Sequence, residues 1–502
     1  MSGGRSRWNE LLLLAATLLI WLALPGGLLL MEPVIGMADN ADFDRLLCPA
    51  GLDHPADRSY RDRYFYNINR HFERIERENC SPYVSSASIT LLAARAWHDR
   101  FAAEGELFDM NLVGGLNVLL MALAMLLILG NTRRLFPRGR GLLAILLVFF
   151  FADLGYLVYL NSFYGEAAVL IYFFFTAGVY LALLGKLESR AGLLRPLLVI
   201  ALLLAGGLFA LSKPQNYVLV FCQLILLIPL FAWLPKKRER WLLGLGTPLL
   251  IVLTLLPMRN MDPLFTRMQI HDILFIDLLP HTEDPAAELE ALDLPPEMIR
   301  WVGQAAWAEG SPILEPEFGA QLDELSYGDL GRYYLGNPRE LLADLDRAAD
   351  ISLDLRVRST FGHYEQKSGQ PPKTQSGAID LWSSLRERLL LGSSLLLSLM
   401  FALNLLVIVL KWRRFDNERF ARGVTYLHAW VLAVGAAAFV TTALAEGSLA
   451  PRHFFLVNLC LDACLLLMLI HATQAFRHRP RTRFNAAPFL KHRRRAAEGS
   501  SR

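Results

Sequence analysis

Charge is scarce in this chain. Of its 502 residues only 19% are Asp, Glu, Lys or Arg, and 54% are hydrophobic. A soluble domain carries about a quarter charged residues. With a mean hydropathy of +0.34, these proportions argue against a soluble enzyme or a disordered chain. The net charge of +3 is too small for a reader of phosphate backbones, so no nucleic-acid partner is expected. Nucleotide-cradling, zinc and nucleophile-elbow motifs are missing too. There is no P-loop, no G-x-G-x-x-G after a strand, no C-x-x-C, no H-E-x-x-H and no G-x-S-x-G. No internal repeat is evident.

What abounds is long apolar runs. A helix needs roughly 20 apolar residues to cross a bilayer core of about 30 Å. Ten stretches qualify, at 11–31, 112–130, 142–160, 167–185, 196–212, 217–234, 241–257, 389–410, 424–444 and 453–472. Basic residues gather in alternate connections. Arg5 and Arg7 precede the first run, Arg133, Arg134, Arg138 and Arg140 follow the second, and Lys186, Arg190 and Arg195 follow the fourth. Lys236, Lys237, Arg238 and Arg240 follow the sixth, and Lys411, Arg413, Arg414, Arg419 and Arg422 follow the eighth. The tail carries Arg493, Arg494 and Arg495, whereas the short connections of the other face hold only Lys213 and Arg452. Because basic loops stay inside, both termini are expected in the cytoplasm. The first run exceeds the 7–15 residues of a signal-peptide core and lacks a clear A-x-A site, so it is expected to remain as a span.

The expected fold class is an all-α polytopic membrane protein with two large, mainly helical extracytoplasmic loops. The divisions are the N-terminus and first span (1–31), a first outer loop (32–111), spans two to seven (112–257), a second outer loop (258–388), spans eight to ten (389–472) and a basic tail (473–502). The two loops read as lobes resting on one bundle. In the first, residues 85–103 place Ile89, Leu92, Ala93 and Trp97 near one face of an amphipathic helix, which would lie either along the membrane or on the loop's own core. In the second, Asn337 as N-cap, Pro338 at N1 and Glu340 at N3 predict a helix to about Asp350. A second helical pattern over 284–303 is broken by Pro295 and Pro296, and 368–377 reads as a turn region. Neither loop alternates strongly enough to predict a sheet. Of the five cysteines, Cys48 and Cys80 share the first outer loop and either form a disulfide or remain free thiols. Cys222, Cys460 and Cys464 fall in spans and read as small packing residues.

The polar groups at the outer ends of the spans are the candidates for chemistry. Asp39, Asp42 and Asp44 emerge just after the first span, where a carboxylate can act as general base or form an ordinary solvated turn. Glu166 sits in a very short connection, either at work there or complementing a helix dipole. Lys213, and Arg452 with His453, lie on the face poor in basic residues, and a lipid-linked phosphate would suit them as well as a snorkelling role. Asp153 and Asp462 fall inside spans, with no obvious intramembrane Lys or Arg to pair with.

Taken in order, these motifs resemble bacterial membrane glycosyltransferases of the GT-C superfamily, more narrowly the hexose transferases of surface-glycan and S-layer glycan clusters. The family's DNGDF-like run reads Asp39-Asn40-Ala41-Asp42-Phe43 here. Further matches are SFYGE at 162–166, SKPQN at 212–216 (with Gln215 and Asn216), LLP-x-x-x-DP at 278–285, Trp382-Ser383, and Arg452-His453 followed by Asn458 and Asp462. Ala41 replaces the usual Gly and Arg452 the usual Lys. The resemblance implies a GT-C-like bundle in the bacterial inner membrane and an inverting transfer from a polyprenyl-phosphate sugar to a glycan, lipid or protein acceptor. It implies Asp42 as base and Asp39 as a helper. Asp44, Glu166, Lys213, Gln215, Asn216, Arg452 and His453 would contact substrate. No cofactor is required by the pattern, and a divalent metal stays open because only some relatives use one. The rival readings are a lipid-linked glycan ligase or polymerase, a transporter or flippase of such a glycan, and a non-catalytic scaffold.

Overall fold

The computed structural model describes residues 2–477, except 78–79, 82, 134–138, 190–191, 358–360, 391–393, 414–417 and 447–449. Expectations resting on Arg134, Arg138, Arg190, Arg414, the tail arginines 493–495 and the side chains of Arg5 and Arg7 lie outside the described residues. The main helices are α1 (Ser2–Leu30), α2 (Ala87–Phe101), α3 (Asn111–Asn131), α4 (Arg140–Phe151), α5 (Leu154–Leu157), α6 (Glu166–Lys186) and α7 (Leu194–Ala210). They continue with α8 (Leu224–Trp233), α9 (Lys237–Leu255), α10 (Pro338–Ser352), α11 (Leu381–Leu390), α12 (Ser394–Arg413), α13 (Arg419–Ala445) and α14 (Phe455–Arg477).

The molecule is a mainly helical polytopic membrane protein. Among the described residues, eight helices are long and apolar enough to cross a bilayer. They match eight of the ten expected spans; the third and fifth differ. The fifth, α7, is a shorter apolar helix. The third is not one rod, because the chain bends by 64° between α4 and the stretch that α5 opens. Asp153 causes the break. Its Oδ1 caps α5 by accepting from the Gly155 amide at 2.8 Å, and its Oδ2 accepts from the Ser383 amide at 3.0 Å. A carboxylate occupied by two backbone donors ends one helix and starts the next. The following residues, 154–165, run entirely through the interior.

At the centre stands α6, whose aromatic and small residues are buried on nearly every side. Phe173 stacks on Trp430 of α13 with ring centroids 5.1 Å apart. By contrast α1, α9 and α12 leave Leu12, Leu249 and Leu395 exposed. Such apolar outer faces are what lipid contact requires and water would penalise.

The two long loops depart from expectation in three respects. First, the first loop contains a small antiparallel sheet of β1 (Leu52–Asp53), β2 (His71–Arg74) and β3 (Phe108–Asp109), pairing Leu52 with Arg74 and Phe72 with Phe108. Strands of two to four residues are too short to show alternation. Second, the second loop is not one lobe. Residues 270–334 build their own apolar core, but Ala348, Leu353, Val357 and Phe361 belong to the main core. The loop's end is zipped to the first loop by the amides of Gly36 and Ala38, which donate to the carbonyls of His363 and Gly362. Third, α10 starts as expected at Pro338, yet Asn337 does not cap it; its amide donates to the Tyr333 carbonyl instead.

Helix α2 does not pack on the loop's core through the expected face, which stays exposed. Leu91, Ala94 and His98 pack inward while Ile89, Leu92 and Trp97 stay exposed. Its start is tied to the end of α7, since Ser86 Oγ donates to the Leu208 carbonyl and Ser85 Oγ to that of Ser212. Cys48 and Cys80 form a disulfide, with Cα atoms 5.7 Å apart.

Candidate functional site

The aspartates after α1 sit on a tight turn and point three ways. Asp39 is directed inward. Its Oδ1 accepts from the Phe43 amide at 3.0 Å, and its Oδ2 lies 3.0 Å from His54 Nε2. Both side chains of that pair are almost wholly buried. Burial pushes the Asp39 carboxyl up, opposed by the His54 hydrogen bond. The structure therefore makes Asp39 an anchor of the turn, without access to an acceptor. Asp44 points outward to Arg77, away from the other candidates. Its predicted contact with substrate finds no support in this geometry.

Ala41 has φ +79°, a left-handed conformation that costs an L-residue roughly 1–2 kcal/mol. Glycine escapes that cost but loses more entropy on folding. Ala41→Gly is expected to stabilise the protein by up to about 1 kcal/mol. A thermal unfolding midpoint in detergent checks this, and a lower midpoint would refute it.

Asp42 is the member of the trio that faces other charged groups. Arg45 reaches it at 3.0 Å and Arg452 hydrogen-bonds its Oδ2. Arg452 also lies 3.9 Å from Glu166 Oε1, and Lys213 Nζ donates to that same oxygen at 3.1 Å. The result is a charge ladder, Arg45–Asp42–Arg452–Glu166–Lys213, drawn from four distant stretches of sequence. Burial by itself would raise the Asp42 carboxyl, but Arg45 and Arg452 outweigh it and hold the group well below the usual carboxylate range.

The ladder is built on aromatic and glycine positions. The Arg452 guanidinium lies over the Tyr164 ring, 4.5 Å from its centroid. Tyr164 Oη donates to the Ala38 carbonyl at 2.8 Å and accepts from the Asn40 amide at 3.0 Å, which locks the aspartate turn to SFYGE. Gly165 lets the SKPQN turn approach, for a Cβ there would fall 2.6 Å from Lys213 Cγ and 2.7 Å from the Ser212 carbonyl oxygen. Asn216 turns inward and donates to Ser212 Oγ at 2.9 Å, so it serves the turn itself. Gln215 is half-buried beside it. His453 flanks the ladder, with its Nε2 3.5 Å from Arg452 Nη2, and pairs with Glu446 at 2.6 Å.

The predicted intramembrane acids have partners after all. Arg386, on α11, pairs with Asp462 Oδ1 at 2.9 Å, while Tyr156 Oη and Trp382 Nε1 donate to Oδ2 at 2.6 and 2.8 Å. Asn458 also accepts from Arg386 and donates to the Asp354 carbonyl at 3.1 Å. This second constellation clasps the end of the second outer loop onto α14. Among the described residues, no group of three or more His, Cys, Asp or Glu side chains is gathered to hold a metal ion.

A family model described as the YfdI N-terminal transmembrane domain matches residues 5–491. The chain belongs to that family. Its match takes in every span, both outer loops and all five members of the charge ladder. No curated protein sequence matches. Among solved structures, the chain is similar to the Archaeoglobus fulgidus oligosaccharyltransferase tethered with an acceptor peptide containing the NVT sequon. The TM-score is 0.40 at 12% identity, over 93% of this chain and 51% of that one. This YfdI-type chain thus spans about half the length of that enzyme.

Arg45, His54, Tyr164, Glu446 and Arg386 were not among the residues expected from sequence. Arg45 and Tyr164 lie inside or beside quoted motifs and were within reach. His54, Glu446 and Arg386 carry no local signal, because each is defined by a partner distant in sequence or across a turn.

Proposed function

We propose that the chain is a membrane glycosyltransferase. It moves a hexose from a polyprenyl-phosphate donor to a glycan, lipid or protein acceptor at the outer face of the bacterial inner membrane. The observation that carries this reading is the ladder itself. Three cations and two carboxylates meet at the ends of apolar helices, where a phosphate headgroup can sit with its lipid tail in the bilayer.

The chemistry follows from those groups. Asp42 takes the proton of an acceptor hydroxyl as its oxygen bonds to the anomeric carbon. The bond from that carbon to the phosphate oxygen breaks, and its electron pair leaves with the phosphate. The polyprenyl phosphate gains one negative charge, which Arg452 and Lys213 offset. Glu166 holds Lys213 in place and Arg452 more loosely. A transporter of lipid-linked glycan would show paired broken helices, whereas among the described residues a single pair of helices is bent.

The test is a transfer assay in membranes with a panel of polyprenyl-phosphate sugars. Turnover with one donor is expected, and its loss in Asp42→Ala with normal membrane insertion. No turnover with any donor, beside active relatives in the same preparation, overturns the reading.

A further inference from the structure

We propose that Asp42 and the donor phosphate compete for Arg452, so that donor binding is the event that frees Asp42 to act as base. This rests on the glycosyltransferase reading above and adds an order to it: donor first, acceptor proton second.

The ladder is graded in depth. Side-chain exposure falls from 37% at Arg45 to 21% at Asp42, 8% at Arg452 and 2% at Glu166, and rises again to 14% at Lys213. Arg452 is therefore more deeply placed than Asp42 and only Glu166 lies deeper. A phosphate that takes up the Nη2 donors of Arg452 has to displace the Asp42 carboxylate already bound there. Asp42 is also the removable partner. The guanidinium keeps its place over the Tyr164 ring, its contact with Asn40 Oδ1 at 3.3 Å and its approach to Glu166 when Asp42 lets go. Glu166 holds Arg452 loosely, at 3.9 Å, because its near oxygen is already taken by Lys213.

The exchange suits both partners. Guanidinium binds phosphate as readily as carboxylate, through paired N–H donors. Asp42 keeps Arg45, which is more exposed and so better screened by water. A carboxylate gripped by two guanidiniums is a poor base. Released from one of them, and set beside a phosphate charge, it becomes a better one. The free protein then holds its base in a resting ion pair, and only a bound donor opens it.

The test uses the full chain in nanodiscs with farnesyl phosphate as probe. Asp42→Asn is expected to bind it about tenfold more tightly than the natural chain, since a competitor for one charge-assisted contact is gone. Arg452→Met is expected to lose that binding. Asp44→Asn removes a nearby negative charge outside the ladder and is expected to change little. Inorganic phosphate, run in parallel, separates headgroup recognition from the contribution of the lipid tail. In the natural chain, infrared difference spectra should show the Asp42 carboxylate band shift when farnesyl phosphate binds, and no such band in Asp42→Asn.

Unchanged or weaker binding by Asp42→Asn, equal tightening by Asp44→Asn, or an unshifted band in the natural chain overturns the competition. These readouts need no transfer. A chain that moves no sugar but tightens in Asp42→Asn would lose the enzymatic reading alone. One that moves sugar without tightening would lose the competition alone.

Discussion

Arg452→Met lowers sugar transfer by about 10²–10³-fold while leaving the protein inserted and folded; this is the expected result, and its size is that of removing one preorganised charge from a developing anion. The fold survives because neither carboxylate is stranded. Asp42 retains Arg45 and Glu166 retains Lys213. Rate is lost because no other described cation touches both acids at once. Arg452→Lys is expected to fall between the two. It keeps the charge but not the planar fork that spans Asp42 and Asn40 together. Initial rates with saturating donor, beside an unfolding midpoint for each variant, check both statements. A methionine variant that transfers at the natural rate would remove Arg452 from the mechanism. A methionine variant that unfolds during purification would show instead that the ladder is chiefly structural.

The spans were legible because a helix of about twenty apolar residues is a long signal that no other element imitates. The bend at Asp153 was not, since it depends on the amide of Ser383, contributed from 230 positions away. The small sheet was hidden for the opposite reason: strands of two to four residues hold at most two periods of alternation, too few to stand out. The site divided along similar lines. Lys213 and Arg452 stood out as cations on a face with few of them, Asp42 as part of an acidic cluster and Glu166 by its very short connection. That they form one ladder could not be read, because pairing between residues 42 and 452 leaves no mark on spacing. From the residues alone Asp39, Asp42 and Asp44 form one acidic cluster, and only the family resemblance ranks Asp42 as the base. A turn with one residue in left-handed conformation sends Asp39 into the core toward His54, Asp42 toward Arg452 and Asp44 out toward Arg77.

Arg386→Met is expected to destabilise the protein by about 3–5 kcal/mol, and Arg386→Met with Asp462→Leu by much less. The single change leaves Asp462 buried without its counter-ion, with Tyr156 and Trp382 donating to one oxygen and nothing to replace the guanidinium on the other. The paired change removes both charges, and the cost that remains is the acceptor lost to Tyr156 and Trp382, which is smaller than that of a buried carboxylate without its counter-ion. Thermal unfolding of the two variants and of Asp462→Leu alone completes the cycle and isolates the pair's coupling. Transfer should follow a different pattern. Asp462 lies ten residues along the chain from Arg452, about 15 Å at helical rise. The clasp touches no reacting group and acts by pinning the Asp354 carbonyl and α11 against the start of α14. The paired variant should therefore regain stability while α11 still lacks its polar fastening. If it regains full transfer as well, the clasp is a matter of stability alone; an unchanged midpoint in Arg386→Met would mean that the buried pair carries no net stabilisation.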